Sequence, residues 1–238
     1  MRTELKDQEY FKTYFESQLD DTEYYNDALE NGEVKEDRIL AVRRKIFTIS
    51  LHTLIAKYSS GYAVSELRNE FGNVVTAFEH GWKDRGNTPE DNMYFDNYLL
   101  VLWMLSLGFL LDIESSAFER IVKVLDDSGR KDFFFDYIIK SRLSSRIISE
   151  EIIYPDQFLF LNELIKTKDI SKMKIYLDKQ WYKRMKLTYW YDNHKSKTNT
   201  FFGYWSFESG ALVKILGLDD SLLKSQQYYP YDMVHWQD

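Results

Sequence analysis

Carboxylates and aromatic rings concentrate near the C-terminal end of this sequence, where Glu208, Asp219, Asp220 and Asp232 lie among Tyr204, Trp205, Tyr228 and Tyr229. A pair of acids beside aromatic platforms is what a glycosidase uses, one to protonate the leaving oxygen and one to act as base or nucleophile. The same residue types also have a structural use. Buried Tyr and Trp need polar partners, and nearby acids can supply them while capping helices. Both readings stand on the residues alone. The histidines, His52, His80, His194 and His235, are far apart and none sits in an H-x-x-x-H spacing, so no metal site is expected. His194, within Trp190-Tyr191-Asp192-Asn193-His194-Lys195, reads as a hydrogen-bonding anchor. The chain has no cysteine, no G-x-S-x-G elbow, no P-loop and no G-x-G-x-x-G. Pro155-Asp156 resembles the opening of a PD-(D/E)xK nuclease, but Glu163-Leu164-Ile165-Lys166 has the wrong spacing to complete it. No catalytic residue and no cofactor is therefore expected, and the chain reads as a non-enzyme.

Element boundaries explain where these acids fall. Gly203 suits a tight turn, Ser206 is placed to cap a helix, and Glu208 adds negative charge to its first turn. Phe207, Ala211, Leu212, Ile215 and Leu216 keep helical spacing, with Gly210 and Ala211 leaving room for a neighbour. Gly217 ends that helix, and Asp219 or Asp220 can cap a short turn holding Leu222 and Leu223. Pro230 forces Tyr229 toward an extended conformation, so the tail should lie across the body.

The first half reads as four helices. They are Leu5 to Glu30 with Asn31-Gly32 as its exit, Lys35 to Ser59 ending at Gly61, a segment capped by Ser65 and running to about Trp82, and Met93 to Leu111. A polar loop, Lys83 to Asp91, precedes the last of these, which is apolar on nearly every face and so should be central. In the second half, Phe118, Ile121, Val124, Leu125, Phe133, Phe135 and Tyr137 match Phe158, Leu161, Leu164, Ile165, Met173, Ile175 and Leu177 at an offset of 40. Stacked helical hairpins would produce that period. The expected fold is all-α, about ten helices in two packed halves, residues 1–113 and 114–238, the second with hairpin quasi-repeats. No Pro-, Gly- or Ser-rich linker separates the halves.

Composition narrows the function classes. Ten glycines and three prolines in 238 residues are few for an all-β protein. The absence of cysteine fits a reducing cytoplasm. The N-terminus lacks the apolar core of a signal peptide, and the longest uncharged run, Asn97 to Leu111, is shorter than the roughly 20 residues of a membrane span. The net charge of −7 is uneven, since residues 1–120 carry 13 Lys/Arg against 22 Asp/Glu. Asp20, Asp21, Glu23 and Asp27 belong to an especially acidic N-terminal stretch. Such a protein is a poor nucleic-acid binder, because phosphate contacts need Lys and Arg, but it suits a basic protein partner. The aromatic, basic segment Trp181 to Tyr191 reads as half-buried, with lysine heads reaching solvent.

Three blocks, Phe201-Phe202-Gly203-Tyr204-Trp205-Ser206-Phe207-Glu208, then Leu218-Asp219-Asp220-Ser221, then Tyr228-Tyr229-Pro230-Tyr231-Asp232, closely resemble the C-terminal signature of PoNi-type immunity proteins. Lys57-Tyr58-Ser59-Ser60-Gly61 and Ser106-Leu107-Gly108 resemble the N-terminal half of the same family, and the stretch around His194 resembles it too. The family commonly has alanines after the glutamate, where Ser209-Gly210 stand here. The resemblance implies a cytoplasmic immunity protein, made by bacteria with polymorphic toxin or type VI secretion systems, that binds a cognate PoNe-type DNase toxin stoichiometrically. It marks Tyr58, Gly61, His194, Gly203, Tyr204, Trp205, Glu208, Asp219, Tyr229, Pro230 and Asp232 as signature positions with structural roles. The toxin-facing candidates are Asp20, Asp21, Glu23, Asp27 and Asp220. Alternative readings are a helical-repeat adaptor for another protein and a carbohydrate-active hydrolase using Glu208 with nearby acids.

Overall fold

A computed structural model of the chain describes residues 1–82 and 94–237. Among the described residues there is no strand, and eleven α-helices carry the fold. They are α1 (Gln8–Glu30), α2 (Ile39–Ser60), α3 (Val64–Gly81), α4 (Phe95–Leu110), α5 (Ser115–Asp127), α6 (Phe133–Arg142), α7 (Pro155–Thr167), α8 (Ile170–Lys179), α9 (Trp181–Arg184), α10 (Phe207–Leu216) and α11 (Tyr231–His235). The expected polar loop from Lys83 to Asp91 lies outside the described residues. Two compact units form. The first comprises Met1–Arg85, Glu119–Ser128 and Asp192–Gly203; the second comprises Gly86–Phe118, Gly129–Tyr191 and Tyr204–Asp238.

In the first unit, Asp7 caps α1 by accepting from the Tyr10 N–H at 2.8 Å, and the helix buries Phe11 and Tyr14. α2 ends where Gly61 turns left-handed at φ +105°, with its N–H on the Lys57 and Tyr58 carbonyls. α3 begins one residue before the expected Ser65 cap. Ala63 holds the cap position, and the Glu66 side chain accepts the Ala63 N–H at 3.1 Å, so the first-turn acid supplies the acceptor. The end of α3 touches α2 backbone to backbone: a Cβ at Gly81 would lie 2.6 Å from the Arg43 carbonyl oxygen. Only glycine fits there without shifting one helix.

The segment Asp192–Gly203 completes this unit. The Tyr10 hydroxyl donates to the Phe201 carbonyl at 3.0 Å and accepts from the Phe201 N–H at 2.7 Å. Ser59 Oγ donates to the Phe202 carbonyl at 2.7 Å. The His52 imidazole stacks on the Phe202 ring at 4.0 Å with only 8° between planes. Burial pushes its pKa down to about 3, so the ring is neutral. Arg120 of α5 makes a two-pronged ion pair with Glu79 of α3.

In the second unit α4 is the centre, with 13 of its 16 residues buried, and α6 and α10 lie against it. The 40-residue offset separates the starts of α5 and α7, each 13 residues long, at Ser115 and Pro155, although α5 from Glu119 onward belongs to the first unit. Both bury the matched pairs Phe118/Phe158 and Ile121/Leu161. Beyond them the environments diverge: Phe135 is buried, whereas its counterpart Ile175 is 48% exposed.

Candidate functional site

Ser206 holds the position just before α10, and its N–H donates to the Tyr228 carbonyl at 2.8 Å, which fastens the tail to the helix start. The expected side-chain cap is not made. The Ser206 hydroxyl goes instead to Glu208 Oε1 and Ser209 Oγ, each at 2.6 Å. The physical reason is Glu208, an acid buried two residues away that needs donors more than the helix start does. Glu208 is 1% exposed, and its Oε1 also accepts from Trp181 Nε1 at 2.8 Å, while Oε2 has no partner. Burial raises the Glu208 pKa, and donation from Ser206, its own N–H and Trp181 offsets this only in part. A glycosidase acid must touch the sugar. The carboxylate that the hydrolase reading depends on is closed off from solvent.

An aromatic layer covers that network. Trp181 and Tyr228 lie 4.9 Å apart, Tyr182 stacks parallel to Tyr228 at 5.5 Å, and Tyr204 packs 5.4 Å from Trp190 and 5.0 Å from Tyr182. Trp205 is 5% exposed. Within the basic segment, Trp181, Met185 and Trp190 are buried while Lys183, Lys186 and Tyr189 are exposed, the half-buried pattern read from the sequence.

The tail folds back on α10. Trp236 Nε1 donates to the Leu110 carbonyl at 2.8 Å, and Lys214 Nζ donates to the Val234 carbonyl at 2.6 Å. Buried Pro230 explains the glycine at position 210: a Cβ there would lie 2.8 Å from Pro230 Cγ and 3.2 Å from Val234 Cγ2. Gly203 and Gly217 both have positive φ, at 130° and 61°. Gly217 ends α10 as expected.

The acids of this region divide differently from the sequence reading. Asp219 is exposed and accepts the Ser221 N–H at 3.0 Å, and that bond lowers its pKa. Asp232 is exposed in the first turn of α11. Asp220, expected to face a toxin, is 4% exposed. It accepts from the Tyr229 hydroxyl at 2.7 Å and contacts His235 Nε2 at 2.9 Å. Its carboxylate is committed inside the fold because a buried tyrosine hydroxyl must find an acceptor. The expected order of effects reverses accordingly. Asp220→Ala should cost about 1–3 kcal/mol of stability by removing a buried acceptor of the Tyr229 hydroxyl, whereas Asp219→Ala should cost roughly 1 kcal/mol or less. Thermal melting of the two variants checks this, and equal melting points would refute it.

The remaining candidates are in the first unit. Tyr58 is 1% exposed under the Arg2 guanidinium, 4.5 Å from its ring centre. The His194 ring meets Phe201 edge-on at 6.3 Å. On α1, Asp20, Glu23 and Asp27 are exposed, and Asp21 is half-buried. Among the described residues no group of three or more His, Cys, Asp or Glu side chains is placed to hold a metal ion.

Sequence reasoning missed a second buried acid system. Asp132 is fully buried and accepts from the N–H groups of Phe134 (2.8 Å), Phe135 (3.3 Å) and Ile153 (2.9 Å) and from the Tyr98 hydroxyl (3.1 Å). Asp136 pairs with Arg146 Nε at 2.7 Å and accepts the Ser149 N–H at 2.9 Å. Together they pin the connection between α6 and α7. The signal for Asp132 was legible, since an Asp directly before an apolar run is a helix-start pattern. The long-range donors from Tyr98 and Ile153 left no sequence trace.

The class of protein is thus an all-α fold of two helical units. Comparison with known families gives the particular assignment. The family model described as PoNe immunity protein (PoNi), N-terminal, matches residues 2–123, and the one described as PoNe immunity proteins (PoNi), C-terminal, matches residues 130–233. The chain belongs to the PoNi family of immunity proteins. The crystal structure of protein PA2201 from Pseudomonas aeruginosa has the same fold: TM-score 0.73 at 19% identity, covering 99% of this chain and 90% of that one. No curated protein matches the chain.

Proposed function

We propose that this chain is the cytoplasmic antidote to a PoNe-type DNase toxin, binding it stoichiometrically and blocking DNA cleavage without catalysis of its own. The observation that carries this is the match of both PoNi family models along nearly the whole chain. Charge supports it. A DNase surface must be basic where DNA lies, and the acidic α1 gives an inhibitor fast, salt-sensitive association with such a surface. Burial of Glu208 and Asp220 leaves Asp20, Glu23 and Asp27 as the outward candidate acids. No helix among the described residues is long and apolar enough to cross a membrane.

The test is a titration of DNA cleavage by the cognate PoNe-type nuclease toxin. Inhibition should be complete at about one equivalent, with affinity in the range open to DNase–immunity pairs, Kd down to about 10⁻¹³ M or below. Tight binding with undiminished cleavage would exclude blockade of the active site or DNA groove.

A further inference from the structure

α1 is unusual for what it turns outward. Its buried residues end at Tyr14, and from Glu16 onward every side chain is half-buried or exposed. Leu19 and Tyr24 are large apolar side chains at 58% and 69% exposure. No contact among the described residues takes them out of solvent. At about 100° per residue they flank one stripe of the helix. That stripe is filled by Glu16, Asp20, Glu23, Asp27 and Glu30, all exposed and spaced four, three, four and three residues apart. Residues 16–30 contain no Lys or Arg.

This arrangement works against the isolated helix. Acids three and four apart on a helix repel one another. Asp27 and Glu30 sit in the last turn, where the macrodipole disfavours negative charge, and that turn has no basic residue to offset them. None of the five carboxylates makes an ion pair or a side-chain hydrogen bond among the described residues. A face that weakens its own helix and exposes two apolar side chains is a face built for a partner, and its charge says which kind. The stripe is about 21 Å long at the helical rise. It carries a charge every ~5 Å, comparable with the ~3.4 Å per phosphate along one DNA strand.

We infer that the outward face of α1 docks in the DNA-binding groove of the toxin, its carboxylates standing in for phosphates and Leu19 and Tyr24 anchoring it at the margins. This rests on the proposed function and specifies the surface. It divides the sequence-derived acids: Asp20, Glu23 and Asp27 meet the partner, while Asp21, about 100° off that stripe and half-buried, does not.

The experiment measures association and dissociation rates of the cognate PoNe-type nuclease toxin, using the full chain and three variants, each also melted alone. Leu19→Ala with Tyr24→Ala should speed dissociation about 100-fold, as loss of two anchors does. Asp20→Asn, Glu23→Gln and Asp27→Asn together should slow association about 10-fold or more at low salt, and little at 1 M, where the Debye length is about 3 Å. Asp21→Asn should change neither rate. The unbound anchor and stripe variants should melt no lower than wild type, because they remove exposed groups. If wild type binds and the anchor and stripe variants bind as well, this face is the wrong one while the immunity function stands. If wild type itself does not bind, both fall. Light scattering that shows a dimer dissolved by the Leu19/Tyr24 pair would assign the face to a second copy of the chain and overturn the proposal.

Discussion

Replacing Trp181 with alanine should lower the unfolding free energy by about 3–5 kcal/mol, the usual loss for truncating a buried tryptophan. Trp181 is 1% exposed and its ring lies 6.1 Å from Trp190 and 4.9 Å from Tyr228, so the lost volume would open the centre of the aromatic layer. The indole N–H is also one of two side-chain donors to Glu208 Oε1. Its removal leaves a buried carboxyl, already short of partners at Oε2, with fewer still. In a domain of this size the expected fall in melting temperature is about 10 °C. Trp181→Phe, which keeps most of the ring and removes only the donor, should fall between. A melting temperature within about 2 °C of wild type for Trp181→Ala would mean that the site collapses around the gap. The aromatic layer would then carry little of the stability assigned to it.

Asp132→Ala should cost about 4 kcal/mol, because four donors are left without an acceptor in a buried position and each orphaned group costs ~1–3 kcal/mol. The connection between α6 and α7 should loosen with it, seen as faster hydrogen exchange at the Ile153 amide. Asp132→Asn is the gentler variant: Oδ1 can still serve Phe134, Phe135 and Tyr98, while the new amide N–H₂ faces the Ile153 N–H. Burial outweighs these bonds and pushes the Asp132 carboxyl from its ordinary 3.8 up to about 6. The folded state therefore holds this proton more tightly than the unfolded state. That contribution is complete below about pH 4 and is lost as pH rises through about 6. Wild type should thus exceed Asp132→Asn most at about pH 4, with the gap narrowing toward pH 7. A gap that widens with rising pH would show that the hydrogen bonds, not burial, set the state of Asp132. His52, with its pKa lowered to about 3, acts in the opposite sense: the unfolded chain gains a proton below about pH 6.5, so acid destabilises the first unit through that ring.

The sequence by itself determined the fold class, the exits of α1, α2 and α10, and the family. Scarce Gly and Pro, helical periodicity, Asn31-Gly32, Gly61 and Gly217 act over a few residues, and local physics decides such features. The apolar character of Met93 to Leu111 likewise marked α4 as central, since a helix with no polar face has only an interior to occupy. The tertiary structure alone decided which acids are free to act. Asp219 and Asp220 are neighbours of one residue type, yet one is solvated and the other closed on Tyr229 and His235. Glu208 in a first turn reads as a dipole partner, and it became the acceptor for Trp181, 27 positions earlier. The return of Asp192–Gly203 to complete the first unit through Tyr10, His52 and Ser59 was equally invisible. In each case the deciding partner comes from a distant part of the chain. A buried polar group takes whatever complement three-dimensional proximity offers, and sequence distance does not encode that.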